Sequence, residues 1–303
     1  MDIAARDSSL VASFSNGLAD AVESAGKALV LVNGRQRHPA SGIVYAQDLV
    51  LTADHVLERE EDITIQTPDG RTMATQFGGR DPASDLALLK VADLGLDPAR
   101  TADGPPRVGQ IVLAIGRPSP DGVMASIGII SAVGGPLRGR GGAMLEQYIQ
   151  TDATPYPGFS GGPIVDTQGR LLAITTTGLI PGVTLAIPTA IAWGVAEALA
   201  SNGHVKRGFL GISSQPVHIP LSQRGGRTQE RGLLIVRVEE DSPAQRGGLL
   251  LGDILLRLDG HEVSDTDDLQ SLWTGERVGG TVAVDVIRGG AVQALQVTVG
   301  QRT

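Results

Sequence analysis

Three short stretches carry residues whose types and spacing suit nucleophilic acyl transfer. The first is Gly158-Phe159-Ser160-Gly161-Gly162-Pro163, where glycines flank a serine closely enough for its hydroxyl and the neighbouring backbone N–H groups to meet one ligand. A serine hydroxyl attacks a carbonyl poorly unless a base takes its proton. The second stretch, Leu51-Thr52-Ala53-Asp54-His55-Val56, supplies an imidazole at the end of an apolar run, where packing can aim it at a cleft. The third, SDLALLKV, opens with Asp85 beside apolar neighbours, a place from which a carboxylate can orient an imidazole or merely cap a turn. Taken singly, each reads as ordinary structure: a turn serine, a packed histidine, a capping aspartate. Together they fall in the order His, Asp, Ser, one of the chain orders in which serine hydrolases assemble a triad, and the joint reading prevails.

The serine segment also satisfies G-x-S-x-G, the elbow of another hydrolase class, which needs a strand before it and a helix after it. Here Pro163 is followed by IVD, a TQG turn and LLAITTT, a hairpin pattern, so that reading is set aside. No metal is expected, because His38, His204, His218 and His261 show no ligand-like spacing with one another. No cofactor is expected either.

The elements that must position these residues are mostly short strands. From Ala28 to Ile187 about a dozen β-branched runs are separated by turn residues, and 41 glycines with 17 prolines fit many tight turns. Ahead of them, Leu10, Phe14, Leu18 and Val22 recur every four positions behind Asp7 and Ser8, which predicts an amphipathic helix over residues 7–26 capped there. A second helix, TAIAWGVAEALA, is expected to end at Asn202-Gly203. The polar stretch from Gln215 to Arg231 is expected to be a loop, followed by further strands and by helical SPAQRGGL and DTDDLQSLW. The 303 residues suit two domains, and 41% hydrophobic against 19% charged residues is enough apolar mass for folded cores. A net charge of −8 argues against a nucleic-acid partner, whose phosphates demand clustered Lys and Arg. With no cysteine there is no disulfide, thiolate metal site or thiol nucleophile. No run is long enough for a membrane span, and MDIAARDSSL lacks a signal-peptide pattern. Localisation therefore stays open between the cytoplasm, for a full-length chain, and an extracytoplasmic or periplasmic place, for one whose leader was removed.

TADHV, SDLALLKV, QTDATPYPGFSGGPIVD and LAIPTAIA resemble the HtrA (Deg) family of trypsin-like serine proteases, over nearly all of residues 8–303. The resemblance implies a mainly β fold: a chymotrypsin-like double β-barrel preceded by an N-terminal helix and followed by an α+β PDZ domain. The implied segments are 1–27 for the N-terminal helix, 28–203 for the protease and 204–303 for the PDZ domain. It implies an ATP-independent endopeptidase acting on unfolded or damaged polypeptides, with His55, Asp85 and Ser160 catalytic and an oxyanion hole at Gly158, Phe159 and Ser160. The specificity pocket would have Thr154 at its floor and Thr175, Thr176 and Thr177 along one wall. With no acid there, it would favour small or medium apolar side chains. Two positions depart from the family pattern. Phe159 stands where Asn usually precedes the serine, and its ring would narrow the cleft or alter how the oxyanion loop switches. Asp54 stands where a small or amide residue usually precedes the histidine. In RGFLGIS and SPAQRGGLLLGDILLRLDGHEV the resemblance is to a bacterial PDZ domain, in which Gly208, Phe209, Leu210, Gly211 and Ile212 would hold a C-terminal peptide opposite a helix carrying Leu269 and Leu272. Residues 134–146 resemble the family loop that senses PDZ occupancy, and the family favours a homotrimer or higher assembly. The alternative is a latent protease serving as a chaperone or peptide-binding scaffold.

Overall fold

The computed structural model describes residues 3–36, 38–135, 137–138, 144–180, 183–205, 208–224, 226–272 and 277–301. Much of the loop 134–146, namely residues 136 and 139–143, thus lies outside the described residues. The chain divides into two compact units, Met1–Val205 and Lys206–Thr303.

The first unit opens with α1 (Ile3–Gly26). It starts before the expected cap, so Asp7 and Ser8 lie inside the helix. Only its later turns pack: Leu18, Ala21, Val22 and Ala25 lie against Leu29, Leu113, Ile115 and Val165, whereas Leu10, Val11 and Phe14 are exposed. Next comes a curled seven-stranded half-barrel of β1 (Leu29–Asn33), β2 (Ala40–Ala46), β3 (Leu49–Ala53), β4 (Thr64–Gln66), β5 (Thr72–Ala74), β6 (Gln76–Asp81) and β7 (Leu86–Lys90), in the order β5-β4-β1-β2-β3-β7-β6. Its apolar runs are buried on both faces, as LALLK of β7 shows. β8 (Ile111–Ser119), β9 (Gly122–Gly134), a small hairpin of β10 (Leu137–Arg138) and β11 (Met144–Leu145), β12 (Tyr148–Thr151), β13 (Pro163–Val165), β14 (Leu171–Thr176) and β15 (Leu185–Pro188) follow. Of these, β12-β15-β14-β13-β8-β9 form a closed barrel. The expected mainly β, two-barrel plan is present. The hairpin β13–β14, paired Pro163 to Ile174, confirms that no helix follows the serine. Helix α2 (Thr189–Asn202) packs Ala192, Val195, Ala196 and Leu199 into the half-barrel core and stops at Gly203, whose left-handed φ of 74° ends the helix.

The second unit contains β16 (Gly208–Phe209), β17 (Ile212–His218), β18 (Arg231–Val238), α3 (Pro243–Arg246), β19 (Ile254–Leu258), β20 (His261–Glu262), α4 (Thr266–Ser271), β21 (Thr281–Arg288), β22 (Ala291–Thr298) and β23 (Gly300–Gln301). Its main sheet runs β17-β18-β19-β21-β22, which leaves β17 at an edge. The loop expected from Gln215 to Arg231 is smaller than that: β17 continues to His218, and buried Gln229 donates to the carbonyls of Arg231, Leu256 and Val263. Polar composition hid both, since an edge strand and a buried amide clip are built from residues that also make loops. No described helix is long and apolar enough to cross a membrane.

Candidate active site

Strand register brings the histidine and the aspartate together. β3 and β7 are antiparallel with Ala53 opposite Leu86, so the next pair outward is Asp54 and Asp85, joined by an Asp54 N–H to Asp85 carbonyl bond of 3.0 Å. Asp85 adopts a left-handed φ of 55°, conformation that Asp tolerates better than most residues. From there its carboxylate takes the His55 amide on Oδ1 at 2.9 Å and the His55 Nδ1 on Oδ2 at 2.7 Å. Two hydrogen bonds from one carboxylate to one residue fix the ring's place and favour the proton on Nδ1, leaving Nε2 able to accept one.

The serine is placed by the other hairpin. Continuing the β13–β14 pairing outward from Pro163 and Ile174 sets Gly162 opposite Thr175, with bonds of 2.8 and 2.9 Å around them, and then Ser160 opposite Thr177. The Ser160 hydroxyl lies 3.2 Å from that of Thr177. It has no hydrogen bond to the imidazole in this structure, a common condition in sites without substrate. Gly161 seats the segment against β3: a β-carbon there would lie 2.6 Å from Thr52 Oγ1 and 2.9 Å from the Ala53 nitrogen.

Three consecutive residues at the end of β14 touch all three groups. The Thr176 hydroxyl donates to Asp85 Oδ2, the Thr177 hydroxyl meets Ser160, and Gly178 lies against the His55–Asp85 pair. Thr176 is therefore not a pocket wall as expected; its side chain is fully buried on the aspartate. Thr175 is also fully buried, with a hydroxyl that has no partner, which removes it too from an open wall. Thr177 and Thr154 are exposed, and the Thr154 carbonyl accepts from Ser126 at 2.6 Å.

Around Ser160 two amides are unengaged. Among the described residues neither Gly158 nor Ser160 donates its N–H to a protein acceptor, whereas the Phe159 N–H is committed to the Tyr156 carbonyl at 3.0 Å. Phe159 is thus not an available donor. Nor does its ring narrow the cleft: it is fully buried in the closed barrel and edge-on to Tyr156 at 5.4 Å.

Asp54, the other departure, has a side chain 12% exposed and pairs with Arg80 at 3.3 Å, which also reaches Glu60 at 3.2 Å. Burial pushes its carboxyl above the usual range, as do the charges of Asp85 and Asp81, while Arg80 and His55 pull it back.

In the second unit, Gly208 and Phe209 pair with Gln301 and Gly300, so that part of the expected carboxylate loop is strand. Leu210 and Gly211 follow with carbonyls engaged, by Ala244 and Glu239 at 2.8 Å each, and with amides that have no described acceptor. Leu210 and Leu269 are buried in the core, Ile212 and Leu272 only partly, so the apolar lining between β17 and α4 falls to the latter two.

Residues 40–174 match the model of a trypsin-like peptidase domain and residues 208–299 that of a PDZ domain. Among curated proteins, a probable periplasmic serine endoprotease DegP-like from Ectopseudomonas mendocina is 36% identical over 277 residues, covering 88% of this chain and 58% of that protein. A counterpart in Pseudomonas fulva is 35% identical, with 57% of it covered. The chain therefore spans somewhat over half the length of these relatives. Among solved structures, the HtrA-type protease AlgW with a decapeptide is 31% identical with a TM-score of 0.79, covering 94% of this chain and 99% of that one. A serine endoprotease from Yersinia pestis is similar at 31% identity and a TM-score of 0.78, covering 94% and 98%.

Proposed function

The chain belongs to the HtrA/DegP-like family of trypsin-like serine proteases with a C-terminal PDZ domain, and on that premise we propose that it is an ATP-independent endopeptidase of unfolded or damaged polypeptides. Ser160 is the nucleophile, His55 the base and Asp85 the orienting acid. The observation that carries this reading is the run Thr176-Thr177-Gly178, which touches the aspartate, the serine and the histidine in turn.

In the reaction His55 Nε2 takes the Ser160 proton as Oγ bonds to the peptide carbonyl carbon, and Asp85 steadies the imidazolium. The oxyanion faces the amides of Gly158 and Ser160. Collapse breaks the C–N bond while the imidazolium gives its proton to the leaving amine. Water then repeats the cycle on the acyl-enzyme and frees the new carboxylate. Thr154 and Thr177, the exposed members of the expected pocket, contact the side chain before the scissile bond, and the absence of an acid among them favours small or medium apolar residues. In the PDZ unit the amides of Leu210 and Gly211 receive a terminal carboxylate while the peptide adds to the edge of β17.

The test is cleavage of casein by the wild type and by Ser160→Ala. Cleavage by the wild type alone supports the reading, and full cleavage by the variant sinks it. The second reading, a latent scaffold, draws on the Ser160 hydroxyl being turned to Thr177. A folded protein that neither cleaves nor is labelled by a serine-directed phosphonate would favour it. The unpacked face of α1, with Leu10, Val11 and Phe14 exposed, is the contact surface for a homotrimer. A monomer in sedimentation would refute that assembly.

A further inference from the structure

Ser41, in β2, belongs to no motif, yet it is fully buried and holds the serine loop from the opposite barrel. Its hydroxyl donates to the Gly158 carbonyl at 2.7 Å and accepts from the Arg117 amide at 2.8 Å. Its own amide donates to the Ser160 carbonyl at 3.1 Å, and its carbonyl accepts from Thr52 Oγ1 at 2.7 Å.

A peptide unit is planar, so fixing its C=O fixes the direction of the N–H on the other side. The unit between Gly158 and Phe159 is held at both ends, by the Ser41 hydroxyl and by the Tyr156 carbonyl. The unit between Ser160 and Gly161 is likewise held by the Ser41 amide and the Thr175 carbonyl, 2.9 Å from the Gly161 nitrogen. Between them, the Phe159 carbonyl accepts from Gly162 at 2.8 Å, which turns the Ser160 N–H the other way. What these bonds leave open are the amides of Gly158 and Ser160.

The Phe159 ring makes a second hold from within the closed barrel. A β-carbon on Gly116 would lie 2.3 Å from its Cδ1, so the ring occupies space that only glycine leaves in β8. Gly158 is confined as well: its φ is +90°, and a β-carbon there would meet Pro118 at 2.6 Å and the Pro39 carbonyl at 2.9 Å. Hydrogen bonds from one barrel and packing in the other converge on Gly158, Phe159 and Ser160.

We propose that Ser41 is the positioning residue of the oxyanion loop, and that with the buried ring of Phe159 it holds that loop in the form whose Gly158 and Ser160 amides are open. The proposal rests on the reading of Ser160 as nucleophile.

The experiment compares full-length wild type, Ser41→Ala, Phe159→Asn, Phe159→Leu and Ser160→Ala for turnover of an apolar peptide anilide and for phosphonate labelling. A thermal melt of each checks folding. The wild type should turn over and label. Ser41→Ala should lose roughly tenfold to a hundredfold in kcat, short of removing a donor outright, with KM nearly unchanged and labelling slowed in step. Phe159→Asn should lose kcat in the same way, and Phe159→Leu, which keeps the space apolar, should recover most of it. A folded Ser41→Ala with wild-type kcat overturns the proposal. If Ser41→Ala fails to fold, the Phe159 pair decides by the same readout. Turnover retained by Ser160→Ala would instead overturn the nucleophile assignment itself, a result distinct from either.

Discussion

Replacing Gly178 with Ala tests how tightly the hinge of the site is packed. A β-carbon at that position would lie 2.6 Å from His55 Nδ1, 2.7 Å from Asp85 Oδ2 and 2.9 Å from His55 Cγ. Carbon contacts settle at roughly 3.5 to 4.0 Å, so either the pair retreats or the strand end lifts by about 1 Å. Both routes hurt the same step. Retreat of the pair moves Nε2 from the serine, and lifting the strand draws away Thr177, the partner of Ser160, and Thr176, the partner of Asp85. A displacement of about 1 Å at a reacting group costs on the order of a hundredfold in rate. That is about 2.7 kcal/mol of transition-state stabilisation. The assay is kcat and KM for an apolar peptide anilide at saturating and limiting substrate, with a thermal melt of both proteins. The fall should appear in kcat, with a melt close to that of the wild type, because the clash is local and the backbone at Gly178 is not left-handed. A folded variant whose kcat stays within about threefold of wild type would refute the reasoning, since a barrier change that small is incompatible with a displaced base.

Asp54→Asn should raise the melting temperature near neutral pH. The folded carboxyl is held above its ordinary value, so the native state binds more protons than the unfolded one, and stability falls as pH rises from the usual carboxylate range through the raised value. Asparagine mimics the neutral form, so its advantage should vanish below that window; melts from pH 3 to 8 that run parallel for the two proteins would contradict the sign. Asp253→Asn should destabilise the PDZ unit by about 3 kcal/mol, because the buried carboxylate holds Arg288 at 2.7 and 2.8 Å and the Leu250 amide at 2.8 Å. Urea unfolding followed by near-ultraviolet dichroism measures it, and no change would show the pair to be dispensable. Gly211→Ala should weaken binding of a synthetic apolar C-terminal peptide at least tenfold by titration, since φ is +81° and a β-carbon would lie 2.3 Å from that of Ser242. Unaltered affinity would move the carboxylate site elsewhere.

What could be read in the sequence was whatever a motif forces. The triad candidates were legible because a proton-accepting ring, an orienting acid and a glycine-flanked hydroxyl are rare together in one chain order. The hairpin after Pro163 was legible because PIVD, TQG and LLAITTT alternate strand and turn chemistry. Ser41 was not, because a serine in a strand looks like any other, and its role is set by a carbonyl 117 positions away. The threonines of β14 read as strand propensity or as a pocket wall, since sequence alone cannot say that the register points Thr176 at Asp85 in the other barrel. The Phe159 ring went to the core and not the cleft for a reason written at Gly116, in a strand more than forty positions earlier in the chain. The early turns of α1 misled in the opposite way: a clean apolar stripe from Leu10 to Val22 packs within the unit only from Leu18 onward.

The proposed chemistry sits on contacts that neither barrel makes alone. His55 and Asp85 come from β3 and β7 of the half-barrel, Ser160 and the three residues after Ile174 and Thr175 that touch the triad come from the closed barrel, and Ser41 crosses back from the half-barrel to hold the serine loop. Both directions of the crossing are buried hydrogen bonds, which weaken steeply once their partners drift beyond bonding distance. A small opening between the barrels therefore displaces the proposed base, nucleophile and oxyanion amides at once. It follows that loss of activity should precede loss of secondary structure on mild denaturation, and that substitutions at the crossing contacts should combine less than additively in kcat, because the first already releases what the second was holding.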